Sequence, residues 1–412
     1  MRISSMQQFH SGVNGILNNQ EVVNNTQQQI SSGKSILTPA DDPIASTRIL
    51  QLQQDIALRE QYAANLIAAK NHQNHEEVTL EGVIDNLQKI RELTIQAGNG
   101  ATTKDDRGFI AAEIEERLKS VVDILNTKDA SNVYIFSGFK GENKPFVERP
   151  GGGYSFEGDQ GERSLQISAN ATVQVNDSGE DLFVDIPSVN NTFFTLDNPN
   201  NIGTGVINVG YIQDQEEFDA VYPEDFYIEF NSDSAVTPQG TNYTVRRASD
   251  DRAVDGLSTI AYSIGSDINF AGTSVKVSGQ PEPGDTFLIE SSEKQSITDT
   301  VQMLIEGLRG FDDSVAGGAQ INELVANTLT NIDSSITTIS TTRSEIGARL
   351  NSIESVDNFQ QDLELVSQQA LSTLQDLDFA EAVSRLSLES FLLEASQQTY
   401  SKISSLSLFN HL

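Results

Sequence analysis

The feature that most constrains this chain is a repeat of apolar residues near both of its ends. Between Met6 and Ile30, and again between Ile332 and Ile353, their steps alternate between three and four, which is the spacing of a coiled-coil seam on one face of a helix. Further apolar residues follow in the last stretch of the chain. Terminal segments are ordered only when they dock onto something. We therefore expect these helices to pack on each other and on further copies of the chain. The predicted assembly seam comprises Met6, Phe9, Val13, Ile16, Val23, Ile30, Val383, Leu386, Leu393, Tyr400, Ile403, Leu406 and Phe409.

Polar and capping residues define the first helices. Gln20 and Gln27 fall in the first seam, where polar residues weaken a helix pair but set its register. Gly33 follows as the predicted end of that helix. A second helix is predicted to begin at Asp42 and Pro43, because an aspartate caps a helix and a proline suits its first turn. Helical periodicity then extends to Gly98.

The middle of the chain has a different composition, rich in turn residues and short alternating runs. It predicts strands at residues 165–167, 173–175, 227–230, 275–277 and 286–289, with a further extended segment at 132–138. The fold class is therefore mainly α at the termini, as long coiled-coil helices, with an inserted β-rich domain. We divide the chain into a coiled-coil segment 1–40, helical rod segments 41–140 and 296–379, the acidic β-rich domain 141–295, and a second coiled-coil segment 380–412.

Charge excludes two classes of partner. The chain has a net charge of −33, and the segment 141–295 alone holds 26 acidic and 8 basic residues. This balance repels nucleic acids and anionic membranes. We expect no membrane span, because no apolar run reaches the roughly 20 residues that one needs. The first residues also lack the apolar core of a secretory signal, so an exported chain would leave the cell without a cleaved leader.

Few residues here could support catalysis, and we expect no enzyme activity, no cofactor and no metal. Cysteine is absent, which excludes thiol chemistry. His72 and His75 lie beside two glutamates, but they lack the HExxH spacing, and a solvated helix face is favoured. The oxygen-rich run 176–181 lacks the length and final glutamate of an EF-hand loop, so bound calcium is disfavoured.

Several motifs together resemble the flagellin family of bacterial axial proteins. They are Arg2-Ile3-Ser4, residues 30–34 (ISSGK), 41–43 (DDP), 90–97 (IRELTIQA), 343–351 (RSEIGARLN) and 376–381 (DLDFAE). The ending at 402–412 (KISSLSLFNHL), the segment 133–138 (VYIFSG), and residues 284–287 (GDTF) before Ser296-Ile297 favour the members that join hook to filament. Asn132 stands where a glycine is usual, and asparagine tolerates the positive φ of such a turn.

The resemblance implies a structural role in the flagellum. It implies a homo-oligomeric junction zone with the first hook-associated protein on one side and flagellin on the other. The inserted domain would face outward, and the chain would be extracellular after type III export. An export chaperone would cover about 380–412. The alternatives are a filament or minor flagellin, and an exported adhesin or carbohydrate-active enzyme whose function lies in 141–295.

Overall fold

The computed structural model describes residues 5–409, without the side chains of Ser5, Met6, Gln8 and residues 403–409. The chain divides into two compact units, residues 1–65 with 355–412 and residues 66–354, called here the terminal unit and the central unit. Its helices are α1 (Ser5–Ser32), α2 (Pro43–Ala97), α3 (Lys104–Leu125), α4 (Gly179–Phe183), α5 (Gln215–Val221), α6 (Ile297–Gly310), α7 (Val315–Gln375) and α8 (Phe379–Phe409).

The terminal unit is built from helices only. α1 and α8 pack along each other, and α1 ends at Gly33, whose φ of 71° is easily reached by a residue without Cβ. Beyond Gly33 the chain crosses to the end of α7, where Ser35 N donates to Gln375 O over 2.7 Å. The start of α2 and the end of α7 are joined by polar side chains, with Arg59 Nη1 donating to Gln360 Oε1 over 2.9 Å.

The central unit contains nearly all of the buried apolar side chains in the described part of the chain. α2 and α3 contribute Leu80, Leu87 and Ile114, each fully buried. Each such side chain contributes about 2 kcal/mol by leaving water. The seam predicted on α7 is confirmed here, because Ile332, Ile339 and Ile346 are fully buried at steps of seven. α3 begins with a capping box between Thr103 and Asp106.

The strands are β1 (Phe146–Glu148), β2 (Tyr154–Phe156), β3 (Ser164–Ser168), β4 (Ala171–Gln174), β5 (Pro187–Asp197), β6 (Val206–Ile207), β7 (Tyr211–Ile212), β8 (Phe226–Asn231), β9 (Asn242–Arg247), β10 (Ile260–Ala261), β11 (Asp267–Phe270), β12 (Thr273–Ser278) and β13 (Thr286–Lys294). Five of them form an antiparallel sheet in the order β10-β9-β8-β13-β5. A second sheet has the order β11-β12-β6, with β7 also paired to β12, and β1-β2 and β3-β4 are hairpins.

Alternation along the strands explains the core of this domain. Every second side chain of β8, namely Phe226, Ile228 and Phe230, is buried, as period-two patterning requires. Phe230 meets Phe287 of β13 at a ring separation of 5.7 Å. The five predicted strands coincide with or overlap β3, β4, β8, β12 and β13. Helical ends with an inserted β-rich domain are therefore confirmed as the fold class.

The extended segment predicted at 132–138 is wrong. These residues form successive turns, with one isolated bridge between Lys128 and Tyr134. Ser137 is fully buried, and its Oγ donates to Lys140 O over 2.7 Å, which draws the segment back on itself. The apolar residues that suggested a strand, including Phe136, instead fill the core. Asn132 does take a positive φ of 64°, as the sequence indicated.

Candidate assembly surface

The contact between α1 and α8 is the structural counterpart of the predicted seam. Phe9 and Tyr400 pack with their ring centroids 5.6 Å apart. Asn19 Nδ2 donates to Ser396 Oγ over 2.9 Å, and Arg385 Nη2 donates to Gln29 Oε1 over 2.6 Å. The aromatic contact thus lies near the start of α1 and the end of α8, and polar side chains join the two helices further along their length.

The predicted seam residues occupy different environments. The half-buried ones are Val13, Ile16, Val23, Ile30, Leu386, Leu393 and Tyr400. Phe9 is 52% exposed and Val383 is 51% exposed, so about half of each side chain still faces solvent. The side chains of Met6, Ile403, Leu406 and Phe409 lie outside the described residues. The assignment of all these residues to an assembly seam remains a prediction.

The polar positions of the seam differ from the expected ones. Gln20 and Gln27 are exposed, whereas Thr26 is only 3% exposed and Asn19 bonds across to α8. Neighbouring positions on a helix differ by 100°, so a shift of one residue turns the seam toward a different face. Both observed polar positions thus lie one residue before the predicted ones.

Apolar exposure is concentrated in the terminal unit. Among the described residues, fourteen of the twenty-five exposed large apolar side chains belong to it. Its buried apolar residues are Tyr62 and Ala382, within that same described part. On α8, Phe391 is 66% exposed and Leu388 is 59% exposed. These exposed apolar side chains make the terminal unit the candidate assembly surface.

The start of α2 is capped by side chains from the loop before it. Asp42 Oδ1 accepts from Ile44 N and Ala45 N over 3.0 and 2.9 Å, and Pro43 occupies the first position of the helix. Asp41 accepts from Leu37 N and Thr38 N, and these backbone hydrogen bonds lower the pKa of its carboxyl group. In the DDP motif, Asp41 therefore stabilises the loop before α2, and Asp42 caps the helix.

The histidine pair contacts protein groups. His75 Nε2 lies 3.3 Å from Lys128 O, and His72 Nδ1 lies 3.7 Å from Asp129 Oδ2. Burial is the main cause that lowers the pKa of His72. The described residues contain no group of three or more metal-ligating acidic or histidine side chains. In that same part of the chain, no helix combines the length and apolarity needed to cross a bilayer.

One polar cluster was missed by the sequence reasoning. Asp177, considered there for calcium, accepts two hydrogen bonds from Arg349 at 2.7 and 2.9 Å. Fully buried Glu76 accepts from Asp177 N over 2.9 Å. The only signal was Arg349 in the motif at 343–351, and nothing local indicated that a loop about 170 residues away would meet it.

Two family models match this chain. Residues 3–140 match the bacterial flagellin N-terminal helical region, and residues 329–412 match the bacterial flagellin C-terminal helical region. Together these matches cover more than half of the chain, and they leave the inserted β-rich domain unmatched.

Individual relatives agree with the models. Flagellar hook-associated protein 3 of Salmonella typhimurium LT2 is 31% identical over 188 residues, 46% of this chain. The match spans 58% of that relative's length. The crystal structure of flagellar hook associated protein-3 from Legionella pneumophila is 30% identical, with a TM-score of 0.53, covering 79% of this chain and 98% of that one. The crystal structure of Xanthomonas campestris FlgL, 23% identical with a TM-score of 0.51 and covering 78% and 99%, shares the fold.

Matches at both helical ends, and a solved structure covered over nearly its whole length at this identity, give one conclusion. The chain belongs to the flagellin family and, within it, to the group of hook-associated protein 3.

Proposed function

We propose that this chain is a structural subunit of the bacterial flagellum that forms the junction zone between hook and filament. The observation that carries the proposal is the terminal unit, which among its described residues exposes fourteen large apolar side chains and buries two apolar ones. Such helices gain stability when neighbouring subunits cover them. The role is one of architecture, with filament assembly and motility as its outcome.

We also propose an order of partners, which the likeness to flagellar hook-associated protein 3 supports. Copies of this chain would cover one another's α1 and α8 in a ring or helical zone. The first hook-associated protein would contact that zone on the hook side, and flagellin would contact it on the filament side. The acidic inserted domain would face outward into the medium, where its charge keeps the surface soluble.

Export is part of the proposal. The chain would pass unfolded through the flagellar type III apparatus and fold outside the cell. Before export, a chaperone would cover about 380–412, because the apolar residues of α8 promote aggregation when nothing is bound to them. A chaperone at this segment would also keep the chain from assembling inside the cell.

Immuno-electron microscopy of intact flagella tests the location. An antibody raised against the inserted domain should label one zone next to the hook. Label distributed along the whole filament would assign the chain to filament flagellin and overturn the junction proposal. Glycan binding or hydrolysis by the intact protein would instead support an adhesin or enzyme.

A matched pair of variants tests the surface. Phe391→Asp places a charge on the exposed apolar face of α8, and we expect loss of filaments and of motility. Phe109→Asp is the control, because Phe109 is 75% exposed on α3 of the central unit and outside the terminal unit. Normal motility with Phe391→Asp, or equal loss in both variants, would count against the terminal helices as the assembly surface.

A further inference from the structure

Glu76 lies on α2 where this helix meets the loop that leads into α4. Its side chain is fully buried, and Oε1 accepts from Asp177 N over 2.9 Å, while Oε2 has no hydrogen-bond donor among the described residues. One turn earlier, fully buried Gln73 donates Nε2 to Gln174 O over 3.0 Å. Gln73 Oε1 likewise lacks a donor in the described part of the chain. Two buried acceptor oxygens therefore lie at i and i+3 of one helix, a spacing at which side chains are neighbours.

The charged groups around Glu76 do not supply that donor. Arg349 of α7 directs both terminal nitrogens to Asp177, and its Nη2 also lies 3.5 Å from Glu345. Arg163, before β3, acts on Glu76 only through its charge. Glu76 itself forms no ion pair with a described residue, and the carboxylate of Asp177 is next to it. If Glu76 were ionised, it would be a second buried carboxylate beside Asp177, and Arg349 already pairs with Asp177 and Glu345.

We propose that Glu76 is protonated in the folded protein at neutral pH, and that this proton fastens the inserted domain to α2. The proton resides on Oε2 and is donated to Gln73 Oε1, so that one hydrogen satisfies both acceptors. Oε1 remains free to accept from Asp177 N. The loop from Gln174 to Ser178 is then held by α2 on one side and by Arg349 on the other. Loss of the proton would leave two acceptors without a donor and add repulsion from Asp177, which loosens the loop.

The electrostatics of the site agree in direction. Burial, with the charge of Asp177 as the second cause, raises the pKa of Glu76 from 4.5 to about 8. Between these values the folded chain holds a proton that the unfolded chain has released. The unfolding equilibrium constant therefore rises with pH across this window, by up to about tenfold per pH unit from this one group. Below about 4.5 and above about 8 the contribution of Glu76 is independent of pH.

A direct titration of the full-length monomer tests the proposal. Glutamate side chains carrying ¹³C at Cδ are followed by NMR, and the Glu76 signal is identified by its disappearance in Glu76→Gln. We expect its midpoint above about 7, whereas ordinary glutamates titrate near 4.3. A midpoint below about 7 overturns the proposal. The titration itself is carried out on the wild-type protein, and Glu76→Gln is needed only to assign the signal.

A second measurement tests the consequence. Glu76→Gln keeps the acceptor for Asp177 N and supplies a permanent donor, and its side chain does not titrate. Between about pH 5 and pH 8, the unfolding equilibrium constant should therefore rise with pH less steeply than in the wild type, by up to about tenfold per pH unit. Glu345→Gln makes the same substitution at an exposed glutamate that lies 3.5 Å from Arg349, and it should keep the wild-type dependence. A slope unchanged in Glu76→Gln, or equally reduced in both, overturns the proposal. Neither result depends on the assembly role proposed above.

Discussion

Arg107 shows how much a single buried charge can contribute to this fold. It lies on α3 with 3% of its surface exposed, and its guanidinium donates to Phe311 O over 3.0 Å and to Asp313 Oδ1 over 2.9 Å. A longer contact of 3.3 Å reaches Thr102 O before the helix. The planar fork thus joins the turn before α3 to the loop after α6. A lysine carries the same charge but has one nitrogen in place of the fork.

We predict that Arg107→Lys lowers the free energy of unfolding by about 2 kcal/mol, because one ammonium nitrogen cannot make both charge-assisted hydrogen bonds of the fork. Thermal or urea unfolding measures the change. Arg117→Lys on the same helix, at an exposed position, is the control and should change stability by less than about 0.5 kcal/mol. Equal effects of the two substitutions would show that the fork at Arg107 contributes nothing particular.

At the scale of elements, the close approach of α1 and α8 depends on a small residue. A Cβ added at Gly12 would lie 2.7 Å from Tyr400 Cδ2, closer than any ordinary contact. A Cβ added at Gly15, one turn further along α1, would have no heavy atom within 4 Å. Both glycines weaken the isolated helix by about 1 kcal/mol relative to alanine. Only Gly12 contributes to packing in return.

These two glycines make a matched pair of substitutions. We predict that Gly15→Ala strengthens α1 by up to about 1 kcal/mol and preserves its packing on α8. Gly12→Ala should displace the ring of Tyr400 and weaken the helix pair despite the same gain in helix propensity. Hydrogen exchange of α1 amides, read by mass spectrometry, measures both. Equal protection of α1 in the two variants would contradict the packing role of Gly12.

At the scale of the whole molecule, stability is distributed unevenly between the two units. The central unit has an extensive apolar core that includes α2, α3, α6 and both sheets. The terminal unit relies on half-buried seam residues and polar contacts such as that between Arg59 and Gln360. Local opening is easiest where few apolar contacts oppose it. The terminal helices are therefore the part that assembly has most to stabilise.

We predict that, in a verified monomer, amides of residues 5–32 and 379–402 exchange much faster than those of α3. Residues 110–125 serve as the internal reference, because α3 contributes Ile110 to Leu125 to the core. The same terminal amides should become protected when the protein assembles. Strong protection at both ends of the monomer would contradict the view that other subunits complete this unit.

The sequence by itself determined the periodic parts of this protein. Apolar spacing identified the α7 seam, with Ile332, Ile339 and Ile346 in the core, because a helix repeats its environment every few residues. Turn residues ended the first helix at Gly33 and the second at Gly98, and alternation located five strands. The motifs at both ends identified the family. All of these signals are local, because each depends on residues that are close together in the sequence.

Only the tertiary structure decided which contacts join distant parts of the chain. Phe136 is apolar whether its segment is a strand or a turn, and the buried Ser137 contacts made it a turn. Thr26 is buried and the neighbouring Gln27 is exposed, although both lie in the same part of the predicted seam helix. Glu76, Asp177 and Arg349 are far apart in sequence, and folding brings them together in a buried site. The energy of a contact between distant residues depends on which residue it meets and on whether water is excluded there. The local spacing of residues in the sequence specifies neither.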